Sequence, residues 1–261
     1  MVVGMHVAQA SSALVAWGNA WLTGHVGLDE AVDAIERANE RHVITGVPGE
    51  TCEVTLRRGL GALRVAGMTA LKLALPVPGD LLGLTGPPEL NAAALEVGEA
   101  VVVALPEGPV GLVPGEDRRG SSYVGVRWNV LNARPGVPDV PSLPEADHQL
   151  TLALRDATEA LAAVEDVSDW RPELAEALSV VRESNQGEPA GGLAPGYPAR
   201  AHRVAALAGR LTVVVELARK VESEGLTAEQ MRLRSEALRL LDRAVRRARV
   251  AAHNSAFDPV P

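Results

Sequence analysis

Apolar residues recur at helical spacing throughout the chain beyond residue 144, and they divide into four segments. Leu150, Leu154, Ala157, Leu161 and Val164 share one face of a first helix, and Leu174, Ala177, Leu178 and Val181 share one face of a second. A third helix carries Val204, Leu207, Leu211, Val214, Ala218 and Val221. The fourth begins at Thr227, which forms a capping box with Gln230. Four helices, each with one apolar face, predict a four-helix bundle-like region.

The last of these helices separates apolar from basic residues. Its apolar side carries Met231, Leu238, Leu241, Val245, Ala248 and Ala252, and its opposite side carries Arg232, Arg239, Arg243, Arg246 and Arg247. Arg234 interrupts the apolar side, where an unpaired charge would be costly. We therefore expect a partner for Arg234 on the preceding helix, with Glu222 as the nearest acid.

The first half of the chain begins with two helical patterns and then changes to strands. The first pattern contains Leu14 and Trp17, and Asp29 is expected to cap the second. The pattern leaves open whether these helices pack on the sheet or on the bundle. Short apolar runs at 69–75 and 100–105 flank a helix near 89–97, the order of a βαβ unit, which predicts a parallel pair of strands.

Two further segments of the first half are predicted to be strands. Residues 110–113 are too few for more than an edge strand, and a polar turn is expected at 116–120. The stretch 122–130 alternates cleanly. Val124, Val126, Trp128 and Val130 point to one side, and Tyr123, Arg127 and Asn129 point to the other. This alternation predicts a half-buried antiparallel strand.

A proline-rich segment separates the two halves, since prolines interrupt both strands and helices there. The predicted fold is α+β. Residues 1–135 form a domain with a small mixed β-sheet and flanking helices, and residues 136–144 form a linker. Residues 145–254 form the helical bundle domain, and residues 255–261 form a disordered tail.

Composition restricts the environment of the protein. The net charge is −8, yet residues 200–253 contain 12 basic and 6 acidic side chains, so this part carries +6 and the rest −14. Arginine outnumbers lysine 23 to 2, as expected of a bacterial protein from a GC-rich genome. The single cysteine, Cys52, excludes an internal disulfide and fits a reducing, cytoplasmic location. No secretory signal and no apolar run long enough to span a membrane is expected.

The loop between Pro76 and Pro88 is the first candidate ligand site. It contains Gly79, Asp80, Gly83, Thr85 and Gly86, follows a strand and opens a helix, an arrangement that binds phosphates elsewhere. The specific spacings of nucleotide-binding loops are absent, and so is lysine. An ordered structural loop therefore competes with a site for a nucleotide or another small phosphorylated ligand.

A polar row on the strand at 122–130 is the second candidate. Tyr123, Arg127 and Asn129 share one face and could contact a small anion, or the face could simply be solvated.

No catalytic residue, metal site or cofactor is predicted. The six histidines lack metal-binding spacings, and no serine lies in a nucleophile elbow. The leading expectation is a non-catalytic binding or adaptor protein that acts through its helical domain. The partner would be an acidic protein or a second copy, as in a homodimer. The alternatives are an enzyme or regulatory domain that uses the 76–88 loop, and a nucleic-acid-associated protein that uses the arginine row.

Overall fold

The computed structural model describes residues 10–37, 41–119, 123–164, 192–220, 227–255 and residue 257. These residues form two compact units, and the α+β prediction is confirmed. The sheet unit comprises Met1–Val140 together with Leu193–Pro198 and His253–Pro261. The helical unit comprises Pro141–Gly192 and Ala199–Ala252. Thus the sheet unit includes two short segments from the second half of the chain. One precedes the helix Ala199–Lys220, and the other lies at the C-terminus.

The sheet unit contains one six-stranded mixed sheet with helices packed on it. The helices are α1 (Ala10–Leu22), α2 (Leu28–Glu36), α3 (Leu56–Val65) and α4 (Pro88–Val97). The strands are β1 (His42–Thr45), β2 (Val54–Thr55), β3 (Ala70–Ala74), β4 (Ala100–Ala104), β5 (Val110–Arg119) and β6 (Tyr123–Asn132). The strand order is β2-β1-β6-β5-β4-β3, in which β1 and β6 are parallel and every other pair is antiparallel.

The expected parallel pairing of β3 and β4 is wrong, because the two strands pair antiparallel. The connecting loop, rather than the helix, carries the chain to the opposite end of the sheet. Arg134, which follows β6, donates its N–H to the carbonyl of Gly86 in this loop. Helix α4 then returns the chain to Ala100, which lies opposite Ala74 at the end of β3. Because the loop runs to the far end of the sheet and the helix runs back, β4 begins at the end where β3 stops, and the two strands are antiparallel.

Strand β5 extends to Arg119, so the prediction of a short edge strand followed by a polar turn at 116–120 is also wrong. Its charged half pairs with the beginning of β6, and ion pairs across the two strands satisfy the charges. Pro114 is tolerated within the strand because the pairing of β4 with β5 ends at Leu112, two residues before the proline. The open side of β5 beyond that point requires no N–H from a proline.

The first two helices belong to the sheet unit, which answers the question that the pattern left open. Helix α1 packs on β3 and against α2, and α2 also contacts α3. The residue that caps α2 is Gly27, not Asp29, which lies in the first turn and pairs with Arg57. Trp128 is fully buried in β6, and the surrounding core is built from leucine, valine and alanine.

Two asparagines close the outer edge of β3. Asn19 of α1 donates from Nδ2 to the carbonyl of Leu71 at 2.8 Å and accepts from the N–H of Leu71 at 2.9 Å. Asn254 makes the same pair of bonds with Leu73, at 3.0 and 2.7 Å. An edge strand presents backbone groups that could pair with another chain. Both outward peptide groups of β3 are thus occupied by the protein itself.

The C-terminal segment is fixed to the sheet unit by aromatic packing as well. Tyr197 donates its hydroxyl to the carbonyl of His253 at 2.9 Å, and its ring lies 4.1 Å from that of Phe257. The ring of Phe257 also contacts His25 at 5.5 Å. Of the tail predicted to be disordered, residues 256 and 258–261 lie outside the described residues.

The described part of the helical unit contains three long helices: α5 (Leu143–Val164), α6 (Ala199–Lys220) and α7 (Ala228–His253). The capping box at the start of α7 is confirmed, since Gln230 donates its N–H to Thr227 Oγ1 and accepts from the N–H of Thr227. The second predicted helix, with Leu174 and Val181, and the acid Glu222 lie outside the described residues. Arg234 does find a partner on the preceding helix, because Nη2 donates to the carbonyl of Ala218.

The directions of the three helices follow from contacts at their ends. Asp147, near the start of α5, pairs with Arg200 and Arg203 at the start of α6, at 3.1 and 3.3 Å. The two helices therefore begin at the same end and run parallel. Arg234, near the start of α7, contacts Ala218 near the end of α6, and Tyr197, just before α6, contacts the end of α7. Helix α7 consequently runs antiparallel to both α6 and α5.

Candidate functional site

The candidate loop between β3 and α4 is held by its own backbone and by the segment after β6. Val77 and Asp80 exchange two backbone hydrogen bonds of 2.9 Å, which close a tight turn around Gly79. Thr85 donates its hydroxyl to the carbonyl of Arg134 at 2.5 Å, and Arg134 donates back to Gly86 at 2.8 Å. These contacts give the loop a defined shape and direct the hydroxyl of Thr85 to a backbone partner.

The helix that follows this loop is poorly suited to anions. A helix N-terminus binds phosphate through its free N–H groups. Helix α4 begins at Pro88 after Pro87 at its N-cap, and neither proline has an N–H. Glu89 adds a carboxylate to the first turn. Both features favour the interpretation of this segment as a structural loop, although the ligand-binding hypothesis for Gly79, Asp80, Gly83, Thr85 and Gly86 stays a prediction.

The second candidate, the polar row on β6, is occupied by partners from the chain itself. Asp117 is buried and accepts from Arg127 Nη2 at 2.6 Å and from Arg119 Nε at 2.8 Å. Glu53 contacts both arginines in turn, reaching Arg127 Nε at 3.4 Å. The four side chains form a closed ring of alternating charge, which joins the β5–β6 hairpin to the residue before β2.

The ring and the loop are separate. The ring lies on β5 and β6, whereas Asp80 belongs to the part of the loop that follows the end of β3. Strands β4 and β5 stand between β3 and β6 in the sheet, which is a lateral separation of about 14 Å. Asn129 Oδ1 accepts from Thr45 Oγ1 at 3.0 Å on the neighbouring strand, and the side chain of Tyr123 lies outside the described residues. The structure therefore does not bring Asp80 and Arg127 together in one site.

One buried histidine was missed by sequence reasoning. His42 of β1 is fully buried and accepts a hydrogen bond at Nδ1 from Trp128 Nε1 at 3.2 Å. Its other ring nitrogen, Nε2, has no hydrogen-bond partner among the described residues. Burial disfavours the imidazolium and lowers the pKa of His42 from 6.5 to about 4. The neutral ring is thus part of the folded core.

This histidine predicts an acid-dependent loss of stability. Because the folded pKa lies below the unfolded value, the unfolded chain binds more protons between pH 6.5 and 4, and stability falls as the pH is lowered through this range. We expect His42 to contribute a loss of about 2 to 3 kcal/mol between pH 7 and 4.5. In His42→Gln, the amide oxygen can still accept from Trp128. The free energy of unfolding in urea should therefore fall less between pH 7 and 4.5 than it does in the wild type, by about 2 to 3 kcal/mol. An unchanged difference would contradict the assignment.

The arginine row of α7 is largely matched by carboxylates of the same helix. Arg232 pairs with Glu229 at 2.9 Å, and Arg239 pairs with Glu236 at 2.7 Å. The side chain of Arg246 is only 13% exposed and approaches Asp242 at 4.0 Å. Arg243 and Arg247 line a groove beside α5. The five arginines therefore do not form one continuous basic ridge.

This groove, which we call the α5/α7 groove, is a concave surface between two helices of the helical unit. Its volume is about 620 Å³. From α5 it is lined by Gln149, Leu152, Ala153, Asp156, Ala157 and Ala160. From α7 it is lined by Leu233, Glu236, Ala237, Leu240, Arg243, Ala244 and Arg247. Small alanines form much of the surface, and larger apolar side chains stand beside them.

The groove exposes large apolar side chains that a folded protein normally covers. Leu152, Leu233 and Leu240 are 45%, 43% and 47% exposed, and Met231 lies nearby in sequence at 44%. Clustered exposure of this kind is typical of interaction surfaces. The apolar residues of the groove form a second, narrower strip on α5 and α7. A sequence pattern that assigns one apolar face to each helix does not reveal this second strip. The signal was present in the spacing of Leu233, Ala237, Leu240 and Ala244.

Neither a metal centre nor a membrane span is found in the described part of the chain. No cluster of three or more histidine, cysteine, aspartate or glutamate side chains there could hold a metal ion. None of the helices described is both long enough and apolar enough to cross a bilayer.

Comparison with known proteins gives matches along nearly the whole chain. Residues 11–142 match the family described as Rv1486c-like protein, N-terminal domain, and residues 144–250 match Rv1486c-like protein, C-terminal domain. The chain is 29% identical to uncharacterized protein Rv1486c of Mycobacterium tuberculosis, across 93% of this chain and 95% of the relative. It is 28% identical to uncharacterized protein ML1804 of Mycobacterium leprae, across 94% and 96%.

A third relative, uncharacterized protein MAV321 of Mycobacterium avium, is 32% identical across 66% of this chain and 69% of its own length. No solved structure matches the chain. The three relatives are mycobacterial, which agrees with the bacterial, GC-rich origin that the arginine excess indicates. Because the matched domains cover both halves in order, the chain belongs to the Rv1486c-like protein family.

Proposed function

We propose that this chain is a non-catalytic binding protein of the cytoplasm whose helical unit receives an amphipathic helix in the α5/α7 groove. The observation that carries the proposal is the coincidence of a groove of about 620 Å³ with three half-exposed leucines along its walls. The partner is an acidic protein or a second copy of the chain. The exposed thiol of Cys52, the only cysteine, is compatible with a reducing compartment.

The dimensions of the groove fit a helix. Its lining extends from Gln149 to Ala160 on α5, which is about 17 Å, and from Leu233 to Arg247 on α7, which is about 21 Å. That is roughly three to four turns of a partner helix. Leucines spaced about two turns apart can anchor such a helix, and alanines between them allow close approach.

The charges of the groove favour a partner helix whose carboxylates lie at one end of the groove. Arg243 and Arg247 lie on the groove wall near Gln149, so acidic side chains of a partner helix would meet them at that end. The ion pairs of Arg232 and Arg239 with glutamates of the same helix reduce the attraction that this row would exert on a nucleic-acid backbone. Protein binding is therefore the interpretation that the charges support best.

Site-specific photocrosslinking tests the proposal. A benzophenone amino acid in place of Leu240 would lie in the groove, and the same residue in place of Val65, which is 91% exposed on the sheet unit, serves as the control. In the native cell, we expect position 240 to form a covalent adduct with another polypeptide chain and position 65 to form none. If the adducts at position 240 have only the mass of a single chain on a denaturing gel, the crosslink is intramolecular, the groove is not an intermolecular site, and the proposal fails.

A further inference from the structure

The α5/α7 groove carries opposite charges at its two ends. Because α7 runs antiparallel to α5, Arg247 lies at the level of Gln149, and Leu233 lies at the level of Ala160. Arg243 and Arg247 thus mark one end of the groove. Glu236 lies about 10 Å further along α7, toward the other end. Asp156 on α5 also lies closer to that acidic end.

A surface polarised in this way is complementary to itself. When two identical faces meet around a two-fold axis that crosses the helices, each helix is antiparallel to its counterpart, and the basic end of one face lies over the acidic end of the other. If the axis ran along the helices instead, α7 would lie over the α5 of the other copy without reversal of the charges. The polarity of the groove therefore selects the crossing axis.

The position of the axis follows from the lining of α7. Leu240 is the middle of its lining residues, with Glu236 and Ala237 on one side and Arg243 and Ala244 on the other. An antiparallel pair of α7 helices centred on Leu240 places Arg243 opposite Ala237 of the other copy, one residue from Glu236 and within reach of its carboxylate, and the reverse contact repeats by symmetry. The two Leu240 side chains, each 47% exposed, then cover each other.

We propose that a second copy of this chain covers the α5/α7 groove, in a two-fold symmetric dimer in which the two α7 helices pack antiparallel and the axis passes between them at Leu240. This inference rests on the proposed function and names its partner. Glu236, which already pairs with Arg239 on its own helix, gains a second cation across the interface. The contact buries apolar side chains at its centre and keeps charges at its rim, as protein interfaces commonly do.

A disulfide at the axis provides the sharpest test. In full-length protein carrying Cys52→Ser, Leu240→Cys places two thiols across the axis, where their Cβ atoms can approach to bonding distance. Leu233→Cys is the matched control, since Leu233 is equally exposed on the same groove wall but lies away from the axis. Under mild oxidation we expect Leu240→Cys to form covalent dimers at least about tenfold faster than Leu233→Cys. Equal rates, or no dimer from either variant, would overturn the proposal.

Charge reversal supplies an independent readout that does not depend on a disulfide. Glu236→Arg alone places arginine near arginine, and Arg243→Glu alone places glutamate near glutamate, so each variant should be monomeric by light scattering. A mixture of the two should form the heterodimer, because both interface pairs then regain opposite charges. The proposed register would be contradicted if either single variant dimerised as well as the wild type does, or if the mixture of the two variants contained only monomers.

The outcomes separate this inference from the proposed function. A photocrosslink from position 240 to a different protein, together with no disulfide dimer at 240, overturns the second copy as partner and leaves the groove a binding site. A photocrosslink found only in products of single-chain mass, for example to residues 165–191, overturns both. Circular dichroism of each variant establishes that the compared proteins are folded.

Discussion

Replacing Asn19 with aspartate is expected to lower the free energy of unfolding by on the order of 3 to 4 kcal/mol. Asn19 is 8% exposed, and its amide makes two hydrogen bonds with the peptide groups of Leu71 at the edge of β3. Aspartate has nearly the same shape but loses the N–H donor, so a buried carboxylate faces the carbonyl of Leu71. Urea unfolding at pH 7.5 would measure the loss.

Asn254→Asp is the matched control for this substitution. Asn254 makes the same two bonds with Leu73 of the same strand, but its side chain is only half-buried. Water can therefore solvate the new carboxylate, and we expect a loss of about 1 to 2 kcal/mol. A change of less than about 1 kcal/mol for Asn19→Asp would show that the edge of β3 does not depend on this amide.

The edge closure by two asparagines is also the clearest example of what the sequence could not predict. Asn19 and Leu71 are 52 positions apart, and Asn254 and Leu73 are 181 positions apart. A lone asparagine in a helical pattern or after a helix carries no local signal for such a contact. The contact of Phe257 with Tyr197, within the tail predicted to be disordered, likewise joins residues far apart in the sequence.

Local patterns predicted the elements whose burial is periodic. The face of α7 that contains Leu238, Leu241 and Val245 is buried as expected, and so are Val126 and Trp128 on β6. The pattern failed for β1, whose four residues offer no alternation and whose parallel partner β6 lies far along the chain. It failed for the charged half of β5 because the ion pairs that stabilise this half are formed across strands.

The same limit applies to the candidate site. Residue spacing assigns one apolar face to each helix, and for α7 this face is the side that is buried within the unit. The groove depends on a second, narrower strip on α5 and α7, where alanines alternate with leucines and charged residues. Such a strip becomes recognisable only when the two helices lie side by side, because neither helix alone shows which exposed leucines will cluster.

The second large effect is expected at Gly83, where alanine should lower the free energy of unfolding by about 3 kcal/mol. Gly83 adopts φ of +100°, and a Cβ atom there would lie 2.9 Å from Cα of Ala74 and 3.0 Å from the carbonyl oxygen of Leu73. Both obstacles are backbone atoms at the end of β3 and cannot move aside like the tip of a flexible side chain. The loop lies this close to the strand because only a hydrogen occupies the position.

Gly79→Ala isolates the contribution of that contact. Gly79 lies in the same loop with φ of +85°, but no atom of the described residues lies within 4 Å of the place that a Cβ atom would occupy. Alanine there should cost only the backbone strain, about 1 kcal/mol. The difference between the two variants in chemical unfolding therefore measures the packing of the loop on β3. If Gly83→Ala is no less stable than Gly79→Ala, close packing does not explain this glycine, and close approach of a ligand to the 76–88 loop becomes the better explanation.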